Sequence, residues 1–345
     1  MRIAIVSSPW LPVPPLGYGG TERMIDLLAT GLVERGHDVL LFATGDSTCP
    51  VPLAWSEPQA LGTDGATPSA ERRHVVKAYD TVLRWGADIV HDHTVAGPTH
   101  GNGLGVPVVT TNHSTFDDGT RERLRAIADR VPVIAISHHQ ASTAGFPVAA
   151  VIHHGIDVDS LPLGTGDGGH ALFLARMSPD KGPEVAARVA RLAGVPLKMA
   201  AKLQEPSERE HFERSVAPLL GDGVEYVGEV GGRDKIELLA SARCLLHPVT
   251  WPEPFGIAMI EALACGTPVV ATPEGSISEL IRDGVTGFVR PTEAGLAEAL
   301  RCSGELDRVA CRAVASNEFS NDRMVADHVA LYERVLADHP SPSAA

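Results

Sequence analysis

The chain has 345 residues, 44% of them hydrophobic and 21% charged, with a formal net charge of −14. That length exceeds a usual single core and points to two domains, while the composition is that of an ordinary globular protein. The acidic balance is shared by both halves, 11 Lys/Arg against 17 Asp/Glu before residue 161 and 18 against 26 after it, which argues against a general nucleic-acid binder and a polybasic membrane-docking protein.

No apolar run reaches the ~18 residues of a membrane span. The opening run Met1 to Val6 ends at Ser7-Ser8-Pro9, too short for a signal-peptide core, and reads as a buried first strand. Further strands are expected at 39–43, 89–91, 106–110 and 133–136. Between the first two strands, Met24, Leu27, Leu28, Gly31 and Leu32 recur at helical spacing, and Gly36 closes that helix. Residues 56–74, poor in apolar side chains, read as a surface excursion. Glycines cluster at 162–169 and suggest a boundary between a first domain, 1–162, and a second, 163–321. The pattern then restarts, with strands at 171–175, 197–200, 224–227, 244–247 and 269–271. Helices are expected near 184–192, 211–219, 235–242, 257–264 and 277–282. A last helix over 322–338 is followed by a Pro/Ser tail expected to be disordered. Short strands alternating with helices make both halves doubly wound α/β units, whose ligands bind at strand carboxyl ends. The five scattered cysteines lack metal-ligand spacing and fit free thiols of a cytoplasmic protein.

The most informative stretch is His247-Pro248-Val249-Thr250-Trp251-Pro252-Glu253-Pro254-Phe255-Gly256-Ile257. A strand ends near His247 and Pro254 stands where a first helical residue is expected. The amides of Phe255, Gly256 and Ile257 would then form a positive helix end suited to a phosphate. Glu253 lies beside that end, and Glu261 roughly 12 Å further along the axis. The spacing suits one carboxylate on a sugar and the other on a ribose. The plainer alternative is a helix-end carboxylate and a surface glutamate, but Ile260, Ala262 and Leu263 around Glu261 fit solvent poorly. Arg176, at a strand end, and Lys181, before the helix opened by Pro183, would neutralise a diphosphate. In the first βα loop, Gly17 to Glu22 leads small residues into a helix with Thr21 as its expected N-cap. Ten of the 15 histidines precede residue 160, among them His91, His93, His113 and the pairs His138-His139 and His153-His154. Their spacing favours strand-end imidazoles over a metal site.

These residues resemble the family 4 glycosyltransferases, retaining enzymes of the GT-B fold, over nearly the whole chain. The resemblance rests on the two glutamates within Pro252 to Gly256 and Glu261 to Val270, on Arg176 with Lys181, and on Gly19 to Glu22, Ala135 to Ser137, Gly155 to Asp157 and Asp283 to Phe288. It implies two Rossmann-like domains facing a central cleft, with the last helix packing back on the first domain. It also implies that Arg176, Lys181 and Gly20 meet the donor diphosphate, Glu253 the sugar and Glu261 the ribose. Backbone at Gly228 to Val230 would meet the base, and His113 would lie near the sugar 6-position. The expected partners are a nucleotide-sugar donor, UDP by default, and a small-molecule or glycan acceptor, with no metal and no other cofactor. One departure is His153-His154 before Gly155, where the family commonly has Pro-Asn. Two rivals share parts of the pattern: a non-hydrolysing sugar-nucleotide epimerase, and an NAD-dependent oxidoreductase with Asp46 on the ribose. A catalytically silent sugar-nucleotide sensor would use the same binding residues.

Overall fold

Short apolar runs joined by helical crossovers can only return as parallel neighbours, and two parallel sheets result. The computed structural model describes residues 1–62 and 65–339. The first sheet contains β1 (Arg2–Val6), β2 (Asp38–Ala43), β3 (Leu53–Trp55), β4 (Ile89–Asp92), β5 (Val108–Thr111), β6 (Val133–Ala135) and β7 (Ala150–Val151), in the order β3-β2-β1-β4-β5-β6-β7. The second contains β8 (Ala171–Arg176), β9 (Leu197–Lys202), β10 (Val224–Gly228), β11 (Cys244–His247), β12 (Val269–Ala271) and β13 (Gly287–Val289), in the order β10-β9-β8-β11-β12-β13. The order reverses at β1/β4 and at β8/β11, so each sheet has its crevice there. β4, β5 and β11 are buried along their whole length, as strands covered by helices on both faces must be.

The chain forms two compact units, one from Met1–Gly155 with the segment from Asn321 onward, the other Ile156–Ser320. The glycine-rich stretch expected at the boundary lies inside the second unit. It is packed, not free: Gly164 N donates to Cys265 O at 2.9 Å, Gly166 N to Ala240 O at 3.2 Å and Gly168 N to Ser241 O at 3.0 Å. The last helix, Asn321–Asp338, buries Met324, Val325, Leu331 and Tyr332 within the first unit, and Asn321 Nδ2 donates to Leu27 O at 3.1 Å.

Four local expectations change. The excursion 56–74 contains the start of a helix, Pro68–Trp85, capped by the Thr67 side chain on Ala70 N. Its Pro and Thr are start signals, not loop composition, and Val75, Ala78, Tyr79 and Val82 form its buried face. The helix at Gly20–Glu34 is preceded by Gly19, not capped by Thr21. Residues 211–219 are not one helix: Pro206–His211 runs into a π turn, Phe212–Val216, and a 3-10 turn, Ala217–Leu219. Pro218 lacks an N–H and crowds the carbonyl four residues back, which accounts for the irregular geometry. The unanticipated strands β3, β7 and β13 are two or three residues long and sit at sheet edges. The Pro/Ser tail lies outside the described residues. No helix among those described is long and apolar enough to cross a membrane.

Candidate active site

Unit 2 gathers its charged residues where β8 and β11 end side by side. Arg176 is the last residue of β8. The chain then makes a 3-10 turn, Pro179–Lys181, and passes through Gly182 into the helix Pro183–Ala193. Gly182 has φ 67° and a Cβ there would overlap Pro248 O, so only glycine lets this turn close against the loop after β11. Thr250 N donates to Asp180 O at 2.9 Å across the same seam.

That seam buries an ion pair. Lys181 Nζ lies 2.5 Å from Glu253 Oε2, and the two side chains are only 8% and 10% exposed. Lys181 also stands 4.5 Å over the Trp251 ring, whose Nε1 donates to the same Oε2 at 3.0 Å. His247 Nε2 is 3.9 Å from that oxygen. Burial pushes this imidazole down to about 4, with Glu253 opposing the shift and Lys181 reinforcing it, so it is neutral near pH 7. Glu253 Oε2 thus takes these contacts, which leaves Oε1 for a ligand. From behind, Ser276 N donates to Glu253 O at 2.9 Å and Ser276 Oγ to Phe255 O at 2.9 Å. A Cβ at Gly275 would overlap the Glu253 backbone. Neither Trp251 nor Gly275-Ser276 was assigned from sequence; small residues just past β12 were the available signal.

The adjoining helix begins at Ile257, with Gly256 as N-cap at φ 90° and no side chain capping it. Pro254 is therefore not its first residue, as the sequence suggested. The left-handed Gly256 is what turns the loop into the helix. Phe255 is 2% exposed and packs edge-on against Phe319, anchoring the loop through its ring. In the first turn Met259 N donates to Gly256 O at 3.0 Å, while the Ile257 and Ala258 amides are ones that helical geometry leaves without an intrahelical acceptor. Arg176 lies 3.5 Å from Asp180 Oδ2, and Lys181 Nζ is 4.0 Å from the same atom. Arg176, Lys181, Glu253, Gly256 and Ile257 are thus brought to one strand-end region.

Glu261 lies about one turn into that helix, where Oε1 accepts from Lys235 Nζ at 2.6 Å. Lys235, unassigned from sequence, belongs to the helix Gly232–Ser241 that follows β10. Gly228 ends β10 at φ 88° with open space around its Cα, and Val230 is half-buried just beyond it. Glu229 between them accepts from Gln204 Nε2 at 2.6 Å. Asp157 Oδ1 accepts from Ser160 N at 3.3 Å, so it orders a turn, while Asp159 is exposed with Arg312 at 4.0 Å.

Gly20 and His113 belong to unit 1. Gly20 opens a 15-residue helix that no side chain caps. His113 follows β5, and its Nε2 lies 2.8 Å from His93 Nδ1. Its ring stacks on His154 at 5.3 Å and 14°. Burial pushes His113 down to about 3, so the ring is a neutral hydrogen-bonding group. Gln140 is a further residue the sequence did not disclose. Its Nε2 donates to Asn112 O at 2.9 Å and Ser114 O at 2.6 Å, the carbonyls on either side of His113.

Comparison with known proteins bears on the family and the fold. A family model described as Glycosyltransferase Family 4 matches residues 18–160, and one described as Glycosyl transferases group 1 matches 165–302. A D-inositol 3-phosphate glycosyltransferase of Mycobacterium leprae is 26% identical, covering 97% of this chain and 93% of that protein. Among solved structures, AviGT4, a glycosyltransferase involved in avilamycin A biosynthesis, is 26% identical with a TM-score of 0.74 and 98% of each chain covered. HepE of Anabaena in complex with UDP-glucose is 22% identical with a TM-score of 0.76, covering 98% of this chain and 100% of that one. With one model on each unit and the two together spanning most of the sequence, the chain belongs to the family 4 glycosyltransferases and is an enzyme of the GT-B fold.

Proposed function

We propose that this glycosyltransferase moves a hexosyl group from a nucleoside diphosphate sugar, most simply a UDP-sugar, to a hydroxyl of a small-molecule or glycan acceptor, retaining the anomeric configuration and using no divalent ion. The observation that carries this reading is the buried Lys181–Glu253 pair beside the uncapped helix at Ile257. Arg176, Lys181, the amides of Phe255, Gly256 and Ile257, and Gly20 in unit 1 would hold the diphosphate. They would supply the positive charge that a metal otherwise brings to the leaving group. Glu253 Oε1 would accept hydrogen bonds from sugar hydroxyls, Glu261 would hold the ribose, and backbone at Gly228 and Val230 would meet the base. His113 would hydrogen-bond the sugar as a neutral imidazole. Glu253 Oε2 is held by Lys181 and Trp251, and in this reading Oε1 is taken up by sugar hydroxyls, so the carboxylate positions the sugar and does not attack it. The leaving phosphate would instead take the acceptor proton on the same face of the sugar, which preserves configuration.

Asp157 Oδ1 accepts from Ser160 N and orders a turn. Asp46 likewise accepts from Ala60 N at 3.1 Å, and the comparisons do not favour the oxidoreductase or epimerase readings. A thermal-shift panel of UDP, GDP, ADP and dTDP in excess EDTA tests the proposal, since a bound ligand stabilises by RT ln(1 + [L]/Kd). One base should stand out with EDTA present, and the matching sugar nucleotide should give a product of unchanged anomeric configuration by NMR. Stabilisation only after Mg²⁺ or Mn²⁺ is added, or an inverted product, would overturn it.

A further inference from the structure

β4 and β5 are parallel neighbours with Asp92 opposite Thr110, so the residues just past their carboxyl ends emerge side by side. Each root is held by the strand on its outer flank: His93 N donates to Val6 O at 2.9 Å and Asn112 N to Ile134 O at 3.1 Å. The His113 backbone is fixed further by the Gln140 amide, whose Oε1 accepts from Ile136 N at 2.7 Å. What remains to be set in such a frame is the torsion of the His113 ring; His154 stacks on its face, and His93 holds its edge through the 2.8 Å hydrogen bond between His93 Nδ1 and His113 Nε2.

His93 rests on a fixed platform. Its ring centroid lies 4.0 Å from that of His91, and both nitrogens of His91 are occupied, Nδ1 by Tyr332 Oη at 2.7 Å and Nε2 by Thr111 Oγ1 at 2.8 Å. The outer nitrogens, His93 Nε2 and His113 Nδ1, are buried and make no hydrogen bond among the described residues. Two neutral imidazoles joined Nδ1 to Nε2 share one proton in the bond. If His93 donates it, the second proton must sit on His113 Nδ1; if His113 donates it, that atom is a bare acceptor. The two tautomers are therefore coupled, and whether His113 offers a donor or an acceptor to a ligand is set together with the proton position on His93.

We propose that His93 is a positioning residue for the transfer reaction: through His113 Nε2 it orients the His113 ring and fixes its tautomer, leaving Nδ1 as the ring atom that meets the donor sugar. This rests on the reading that His113 serves the sugar. The assignment also explains why three successive side chains, His91, His93 and His113, stand in one packed row instead of facing solvent. Burial holds all three well below the ordinary imidazole range, which keeps the row neutral.

The test uses the full chain labelled with ¹⁵N-histidine, read by NMR for the His113 tautomer, together with kinetics of His93→Asn, His93→Gln and His93→Phe. An Asn amide places its polar atoms at the level of His Nδ1, whereas a Gln amide reaches the level of Nε2. The wild type should show a single His113 tautomer, and His93→Phe a mixture with kcat lower by ~10²-fold, the scale of a misplaced reacting group. Nucleotide Kd should stay within about twofold, because the diphosphate and base contacts are elsewhere. His93→Asn should recover most of kcat and the single tautomer; His93→Gln should resemble His93→Phe. A single tautomer persisting in His93→Phe, an undiminished kcat in that variant, or an Asn variant no better than Phe would each overturn the proposal. If the wild type turns over no nucleotide sugar, the transfer reading fails, and the tautomer measurement still decides whether His93 governs His113.

Discussion

At the carboxyl ends of the first sheet stands a row of neutral rings, His91, His93, His113, His154 and, from the last helix, His328, with the buried carboxyl groups of Asp92, Glu22 and Glu71 in the same unit. Beyond β8 and β11 of the second sheet stand ions, Lys181 and Glu253, with Glu261 and Lys235 paired along the next helix. The two units share a sheet order, so topology does not account for the difference. Removing a charge from water costs several kcal/mol unless a partner repays it. Unit 2 meets that cost with close pairs, whereas unit 1 avoids it by keeping imidazoles uncharged. The ligand each edge would hold differs in the same way. An anionic diphosphate calls for cations, and uncharged sugar hydroxyls call for neutral donors and acceptors.

Exchanging charge for neutrality in unit 2 should produce the largest effect. Glu253→Gln retains a hydrogen-bonding group but leaves Lys181 a buried cation without its counter-charge. We expect kcat/KM to fall ~10²-fold or more while nucleoside diphosphate affinity stays within a few-fold. Steady-state kinetics paired with calorimetry on the bare nucleotide separates the two quantities, and a fully active variant would refute the assignment of Glu253 to the sugar. The double variant Arg176→Ala/Lys181→Ala attacks the other half of the pair. Donor binding should then drop below detection at concentrations that saturate the wild type, and added Mg²⁺ should restore little. Recovery with magnesium would mean that a metal, and not this pair of cations, neutralises the diphosphate.

Acid should distinguish the units by stability. His113 is held down to about 3 and His328 to about 4, and His91, His93 and His154 are likewise lowered, all chiefly by burial. The folded chain thus binds fewer protons at these sites than the unfolded chain, whose imidazoles titrate near 6.5. Their contribution is intact above about 6.5 and is lost as pH falls towards 4, each pKa unit being worth about 1.4 kcal/mol per group. Asp92 works in the opposite sense: burial raises it to about 6, so its contribution fades as pH rises through 4 to 6. Glu22, also raised by burial, works with Asp92, but these two carboxyls stand against seven lowered imidazoles once His37 and His74 are included. Unit 2 has fewer such rings, chiefly His247 at about 4 and the lowered His170. Scanning calorimetry between pH 7.5 and 4.5 should show the unit 1 transition moving down first and further. A larger shift in the unit 2 transition would contradict the contrast.

Much of this contrast was legible in sequence, and unevenly so. The strand ends, the Arg176–Lys181 loop and the two glutamates announce themselves because each sits within a short run whose spacing has a local meaning. Gly182 and Gly256 also show their use locally, as turns before a helix. The pairings were not legible: Lys181 meets Glu253 across 72 residues, and His91 meets Tyr332 across 241. No periodicity encodes a partner at that distance. The edge strands β3, β7 and β13 escaped because two or three residues cannot display an alternation. Thr67-Pro68 read as loop because a helix start and a turn use the same residues. The glycine-rich 162–169 stretch read as a linker for a similar reason, although its backbone is hydrogen-bonded within unit 2. Composition reports what a backbone can do, and only packing reports what it was required to do.

The smallest expected effect tests the second ion pair of unit 2, and with it whether that unit's pairs share one purpose. Glu261 accepts from Lys235 at 2.6 Å, and both side chains are mostly covered, at 14% and 20% exposure. If the carboxylate serves a ribose, Glu261→Ala should weaken UDP-type ligands and donor sugar alike, by ~10-fold, about 1.4 kcal/mol. Lys235 would act only by holding the carboxylate in place, so Lys235→Ala should cost less, ~3-fold, within the range of a partly exposed ion pair. The double variant should then bind no worse than Glu261→Ala alone, because the lysine has nothing left to orient. Calorimetry with the nucleoside diphosphate measures all three, and the 2′-deoxy nucleotide supplies an internal control. Its affinity should already be low for the wild type and should change little in Glu261→Ala. If instead Lys235→Ala costs more than Glu261→Ala and the double variant binds no worse than Lys235→Ala alone, Lys235 contacts the nucleotide directly and Glu261 is its counter-ion. In that case the pair matches Lys181–Glu253 in kind, a cation for the ligand with a carboxylate to keep it buried.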